Sequence, residues 1–170
     1  GMISIADGSD MMGSLRNPAA WNNVYGMRPS WGLVPGEPKE DVFLHSLSTN
    51  GPMARNPKDL ALLLSVMSGA DPRLPFSISN EGLLPVEPAN LRGKRIGWLS
   101  DWGGAFPIEP SLLEASSSAV QKFNDMGAIV EILPAPFSHT ALWESWTTLR
   151  SWSVATSYIP YFEKPELRDL

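Results

Sequence analysis

Between Gly8 and Pro18 the chain reads Gly8-Ser9-Asp10-Met11-Met12-Gly13-Ser14-Leu15-Arg16-Asn17-Pro18, its densest cluster of small and polar residues. These residue types suit the chemistry of an attacked carbonyl. A serine where a loop meets a helix faces unpaired backbone N–H groups and the positive end of the helix dipole, and both favour developing negative charge. A neighbouring glycine lets a substrate come close to the backbone. With Ser14 as the attacking hydroxyl, the N–H groups of Met11, Met12 and Gly13 are placed to hold an oxyanion, each such donor being worth roughly 3 kcal/mol in the transition state. From residue types alone, the same string also reads as a glycine-containing turn whose serine caps a helix.

Composition narrows the other chemistries. The chain has 170 residues, 13 Lys+Arg against 18 Asp+Glu and a formal charge of −5, with no basic cluster. It therefore lacks the electrostatic footprint of a nucleic-acid or anionic-membrane binder. The absence of cysteine excludes a disulfide framework, a thiolate metal site and a cysteine nucleophile, and two histidines, His45 and His139, make an all-protein zinc site a poor expectation. No apolar run approaches the roughly 18 residues that span a bilayer, and the first residues lack the basic-then-apolar layout of a signal peptide. A cytoplasmic protein with no membrane association is expected. At 43% hydrophobic and 18% charged there is enough apolar material for a core.

The elements that must position the serine follow from pattern. Met2 to Ala6 reads as a buried strand that stops at Asp7-Gly8, and Asn17-Pro18 as the cap and first residue of a short helix. Val24 to Arg28 and Trp31 to Val34 are further extended candidates. Asn56-Pro57-Lys58-Asp59 opens the clearest helix, which runs to Gly69 and is apolar around almost its whole circumference, predicting deep packing. Asp71 to Pro88 reads as a surface connection. Arg95 to Leu99, Pro110 to Met126 and Ala128 to Leu133 then form strand, helix and strand, a βαβ unit that requires parallel strands. The tail from His139 to Tyr161 is rich in Trp and broadly helical until Pro160. The fold class is α/β.

The string around Ser14 resembles the amidase signature family, whose pattern is close to G-[TS]-D-x-G-G-S-[IVL]-R-x-P-A followed by G-[LFM]-[KR]-P-[TS]-x-G-x-V. Gly8 to Ala19 carries the first part and Gly26-Met27-Arg28-Pro29-Ser30-Trp31-Gly32-Leu33-Val34 the second. Gly51-Pro52-Met53-Ala54-Arg55 through Leu64, and Leu91-Arg92-Gly93-Lys94-Arg95-Ile96-Gly97, are similar to two later segments of that family. The resemblance implies a mixed, mostly parallel twisted sheet flanked by helices. It also implies an amidase that cleaves a carboxamide through an acyl-enzyme, without metal or organic cofactor. Residue by residue, it puts Ser14 on the nucleophile and Met11, Met12 and Gly13 on the oxyanion-hole positions. It puts Ser9 on an orienting hydroxyl, and Asp10 and Arg16 on a charged pair that braces the loop. Met12 stands where glycine is usual, which should narrow substrate access.

The family activates its serine with a lysine acting through a bridging serine in a cis peptide, both upstream of the nucleophile. Here all five lysines, Lys39, Lys58, Lys94, Lys122 and Lys164, follow Ser14 and none matches that motif. Ser14 also lacks the Gly-x-Ser-x-Gly elbow of a Ser-His-Asp hydrolase. The chain is thus expected to be an inactive fragment beginning just before the nucleophile. Its parts are a signature core at 1–70, a connection at 71–93, the βαβ unit at 94–134 and a Trp-rich helical tail at 135–170. Surface uncovered by truncation predicts self-association into homo-oligomers or aggregates. Two alternatives stand beside a small-molecule amidase: a non-catalytic binding or assembly module of the same fold, and the glutaminase-like subunit of an amidotransferase, which would have a protein partner. Arg28 and Arg55 are read as loop braces more readily than as contacts to an acidic substrate, and Trp21 and Tyr25 lie close to Ser14 in sequence.

Overall fold

The computed structural model describes residues 2–38, 42–44, 46–82, 84 and 86–168. Lys39 and His45 lie outside the described residues, as does the terminal Asp169-Leu170 pair. The chain divides into two compact units, Gly1–Glu87 and Pro88–Leu170.

The first unit carries the serine loop. Its sheet has the order β1(Ile5–Asp10), β3(Thr49–Ala54), β2(Tyr25–Gly26), with β3 antiparallel to both neighbours. β1 therefore runs four residues beyond its expected end at Ala6. Asp7 and Gly8 have the local character of a turn, but each is paired across the ladder, with Pro52 and Gly51 respectively, and ladder pairing outweighs local propensity. The burial expected at the start of this strand is not found either, since Met2, Ile3 and Ile5 are exposed. Trp31 to Val34, expected to be extended, forms a turn instead, closed by the Leu33 N–H donating to the Ser30 carbonyl at 3.1 Å. Trp31 packs on Phe76 with ring centroids 5.1 Å apart, so the 71–88 connection folds back against this turn.

α2(Pro57–Met67) matches its expected start, since the Asn56 side chain accepts the Asp59 N–H at 2.9 Å and Pro57 occupies the first turn. Asn56→Ala should cost about 1 kcal/mol, read as a lowered denaturation midpoint. The deep packing expected of this helix is not found within the described chain. Leu64 is buried, whereas Leu62 and Val66 are 54% and 76% exposed. The helix meets the sheet chiefly through β3, with Asn80 Nδ2 donating to its Ser65 carbonyl at 3.1 Å, while Leu62 and Val66 lie on its exposed side. The core of this unit is Leu15, Ala19, Val34, Ala54 and Leu64.

The second unit contains the βαβ arrangement. β4(Arg95–Trp98) and β5(Ile129–Ile132) are parallel, in the register Arg95↔Ile129 to Trp98↔Ile132, joined through α3(Pro110–Asp125). These are the boundaries read from the sequence to within a residue or two. α4(His139–Phe162) continues through Pro160 rather than stopping there. Proline removes one N–H and crowds the preceding turn, but this one lies in the last turn. The helix then closes with the Glu163 N–H donating to the Ile159 carbonyl at 3.2 Å. α5(Pro165–Arg168) follows. No helix among the described residues is long and apolar enough to cross a membrane.

Candidate active site

The site is built where β1 ends. Gly8 and Gly51 face each other across the β1–β3 ladder, and the missing side chains leave a depression filled by Leu15. A Cβ on Gly8 would sit 3.2 Å from Leu15 Cδ2, and one on Gly51 would lie 2.8 Å from Leu15 Cδ1 and overlap the Met27 carbonyl oxygen. Leu15 is accordingly 0% exposed. Its anchoring holds the preceding residue, Ser14, at the surface.

Asp10, the last residue of β1, organises everything between them. Its side chain is fully buried and charged, which is tolerable only with several hydrogen bonds. Oδ1 accepts from the Gly13 N–H at 2.7 Å, from Arg16 Nη2 at 3.1 Å and from Arg28 Nη1 at 3.1 Å. Oδ2 accepts from Arg16 Nε at 2.9 Å and from the Leu15 N–H at 3.2 Å. The Arg16 guanidinium, with help from these backbone donors and Arg28, holds the Asp10 carboxyl well below the usual carboxylate range against the opposing effect of burial. Its partner Arg16 is pushed upward by the same bond.

This carboxylate also corrects the expected helix start. α1(Arg16–Trp21) begins before Asn17, its cap residue is Leu15, and no side chain of that residue caps it. Asp10 does so from the strand, taking the Leu15 N–H together with the Arg16 N–H at 3.4 Å. A carboxylate reaching across from a neighbouring element is invisible to a search for local caps.

Of the three N–H groups expected to face an oxyanion, the structure commits one elsewhere. The Gly13 N–H points inward to Asp10, so in this conformation it is not a donor to an external anion. The N–H groups of Met11 and Met12 have no hydrogen-bond partner among the described residues, nor does the Ser14 hydroxyl, and Ser14 is exposed. Gly13 adopts φ +120, a conformation that favours glycine, while a Cβ there would meet the end of the exposed Asn17 side chain at 2.7 Å, which can swing aside. Ser9 lies on the exposed face of β1, one residue from Asp10 and on the opposite side of the strand. Met12 is 57% exposed and flanks the serine, while Trp21, at 84%, stands open to solvent.

Arg28 is the residue whose part here had to await the fold. Nη1 donates to the Asp10 carbonyl at 2.8 Å and the Met11 carbonyl at 3.1 Å, and Nη2 donates to the Leu47 carbonyl at 2.9 Å. It is a loop brace, as its sequence context suggests, and its targets are the two peptides that lead into the serine turn.

Ser14 is exposed beside two backbone N–H groups without a partner among the described residues, on a loop stiffened by a buried carboxylate and two arginines, an arrangement able to offer a hydroxyl and hydrogen-bond donors to one ligand. A family model described as Amidase matches residues 1–165, and the chain belongs to this family of amidase signature enzymes. Among relatives, a glutamyl-tRNA(Gln) amidotransferase subunit from Sulfurisphaera tokodaii is 37% identical over 84% of this chain and 29% of its own length. The protein of the same name from Azotobacter vinelandii is 32% identical over 83% of this chain and 29% of its own length. Among solved structures, a bacterial aryl acylamidase of the amidase signature family superposes with a TM-score of 0.81 at 28% identity, over 97% of this chain and 34% of that one. The peptide amidase of Stenotrophomonas maltophilia superposes with a TM-score of 0.58 at 31% identity, over 77% of this chain and 27% of that one. The chain thus spans about three-tenths of the length of the relatives it matches.

Proposed function

We propose that this chain is the nucleophile-bearing part of an amide hydrolase in which Ser14 attacks the carboxamide carbon. The Oγ–C bond forms as the serine proton passes to a base, and the tetrahedral oxyanion is held by the Met11 and Met12 N–H groups. The C–N bond then breaks with proton transfer to the leaving amine or ammonia, and water cleaves the acyl-serine ester. The observation that carries this reading is the pairing of an exposed, unpartnered Ser14 with two adjacent free N–H groups on a loop fixed by Asp10. Family membership supplies the reaction class.

The base is the piece this chain does not provide in recognisable form. No lysine matches the family's general-base motif, and no described side chain bonds to Ser14. The chain on its own is therefore expected to be inactive, with activity residing in a longer protein of cytoplasmic location. The substrate is a small carboxamide.

A second reading has specific support. The relatives at 32–37% identity carry the name of an amidotransferase subunit, which would make the substrate glutamine and imply a protein partner. One experiment separates these readings. The intact protein is incubated with a simple primary amide, an anilide and glutamine in the presence of hydroxylamine, which intercepts an acyl-serine as the hydroxamate. Hydroxamate from the primary amide or anilide supports the free-standing amidase; hydroxamate from glutamine alone supports the amidotransferase reading. A protein that forms none from any of the three is not an acyl-serine hydrolase of these classes, and the binding-module alternative then holds.

A further inference from the structure

We propose that Arg28 is a positioning residue that aims the oxyanion donors. The inference rests on the reading of Ser14 as the nucleophile. In an extended strand successive carbonyls point to opposite sides, yet the Asp10 and Met11 carbonyls converge on one nitrogen, Arg28 Nη1, at 2.8 and 3.1 Å. The chain therefore leaves the extended conformation at Met11, immediately after β1 ends. Each peptide is planar and trans, so the N–H that shares a peptide with a carbonyl points the opposite way. The Asp10 carbonyl shares its peptide with the Met11 N–H, and the Met11 carbonyl with the Met12 N–H. By gathering the two carbonyls on one side, Arg28 turns two consecutive N–H groups out on the other. Consecutive N–H groups presented together form an anion-binding concavity.

Arg28 is itself held in place. Nη1 also meets Asp10 Oδ1 at 3.1 Å, Nη2 is fixed by the Leu47 carbonyl at 2.9 Å, and the side chain is 27% exposed. The donor fork is thus set before any substrate arrives, which is the condition under which oriented dipoles lower a barrier. The Gly13 N–H, turned inward to Asp10, leaves the Met11 and Met12 groups to carry this task.

The test pairs Arg28→Met with Arg28→Lys, whose ammonium keeps up to three donors for the two carbonyls. In the intact enzyme, Arg28→Met is expected to lower kcat about 100-fold, the usual effect of losing an oxyanion donor, with KM changed less than about 2-fold. Arg28→Lys is expected to recover kcat to within about 10-fold of the parent, as the retained donors predict. In the 170-residue chain, 15N relaxation is expected to show the Met11 and Met12 amides rigid, with order parameters near 0.85, and falling below about 0.6 in Arg28→Met. The Gly13 and Leu15 amides, bonded to Asp10, should hold their values, and Arg28→Lys should restore Met11 and Met12. Unchanged kcat in a folded Arg28→Met enzyme that Ser14→Ala inactivates would overturn the proposal, as would a rise in KM alone. If Arg28→Met does not fold, a folded Arg28→Lys enzyme with kcat down 100-fold would overturn it equally. Full activity in Ser14→Ala would instead sink the nucleophile assignment, and the relaxation data would still report whether Arg28 orients the two amides.

Discussion

Replacing Asp10 by asparagine is expected to remove about 3–5 kcal/mol of folding stability, the usual result of breaking a buried ion pair by deleting one charge. The side chain is fully buried and accepts from Arg16, Arg28 and the backbone N–H groups of Gly13 and Leu15. An asparagine of the same size would offer one oxygen and present an amide N–H₂ to donors. Denaturant unfolding of the parent and the variant measures the loss. Arg16→Ala should cost less, about 1 kcal/mol, because Arg16 is half exposed, at 54%. The pH dependence follows from the direction of the Asp10 shift. Its folded carboxyl is held below the ordinary value, so the native state binds fewer protons than the unfolded chain. The contribution is complete above the ordinary aspartate pKa near 4 and is lost as pH falls below it. The stability difference between parent and Asp10→Asn should therefore shrink in acid and be constant from about pH 5 upward. A difference that stays level into strong acid would contradict the carboxylate's part.

Ser14→Ala is expected to reduce kcat/KM of the intact protein by about 10⁴-fold or more, as loss of an attacking hydroxyl does elsewhere. Folding stability should stay within about 0.5 kcal/mol, because the hydroxyl is exposed and bonded to nothing among the described residues. This separation distinguishes the serine from Asp10, whose replacement is expected to lower folding stability itself. Hydrolysis assays beside thermal melts of both variants make the comparison. Retained hydrolysis in Ser14→Ala would exclude it as nucleophile, and a large drop in melting temperature would show that the hydroxyl has a structural partner.

How much of this was legible beforehand differs from element to element. α2 was readable because its signals are local: Asn56 caps, Pro57 starts and Asp59 sits in the first turn. The βαβ unit was readable because β4, α3 and β5 each carry their own periodicity and lie next to one another in sequence. β3 escaped because Gly51 and Pro52 are poor strand formers, and their place in the ladder is set by β1 and β2 rather than by their own preference. The same non-local pairing hid the true length of β1. The string Gly8 to Ala19 was enough to point to the family that residues 1–165 match. It was not enough to give the direction of the Gly13 N–H or the targets of Arg28. Those depend on where Asp10 lies once it is buried, and on Leu47 being brought beside Met11 by the chain's return into β3.

The β1–β3 ladder also gives the serine loop an order of assembly on the ribosome. The strand that presents Asp10 has no partner until Thr49–Ala54, well downstream, has been made and released from the exit tunnel. At about 5–20 residues per second of synthesis, the nascent segment passes about one to five seconds with Asp10, Arg16 and Arg28 all present but unshaped. The Gly8–Gly51 depression that seats Leu15 does not exist during that interval. A nascent chain released before Ala54 would carry the whole serine string in its sequence and none of the ladder that turns it into a site.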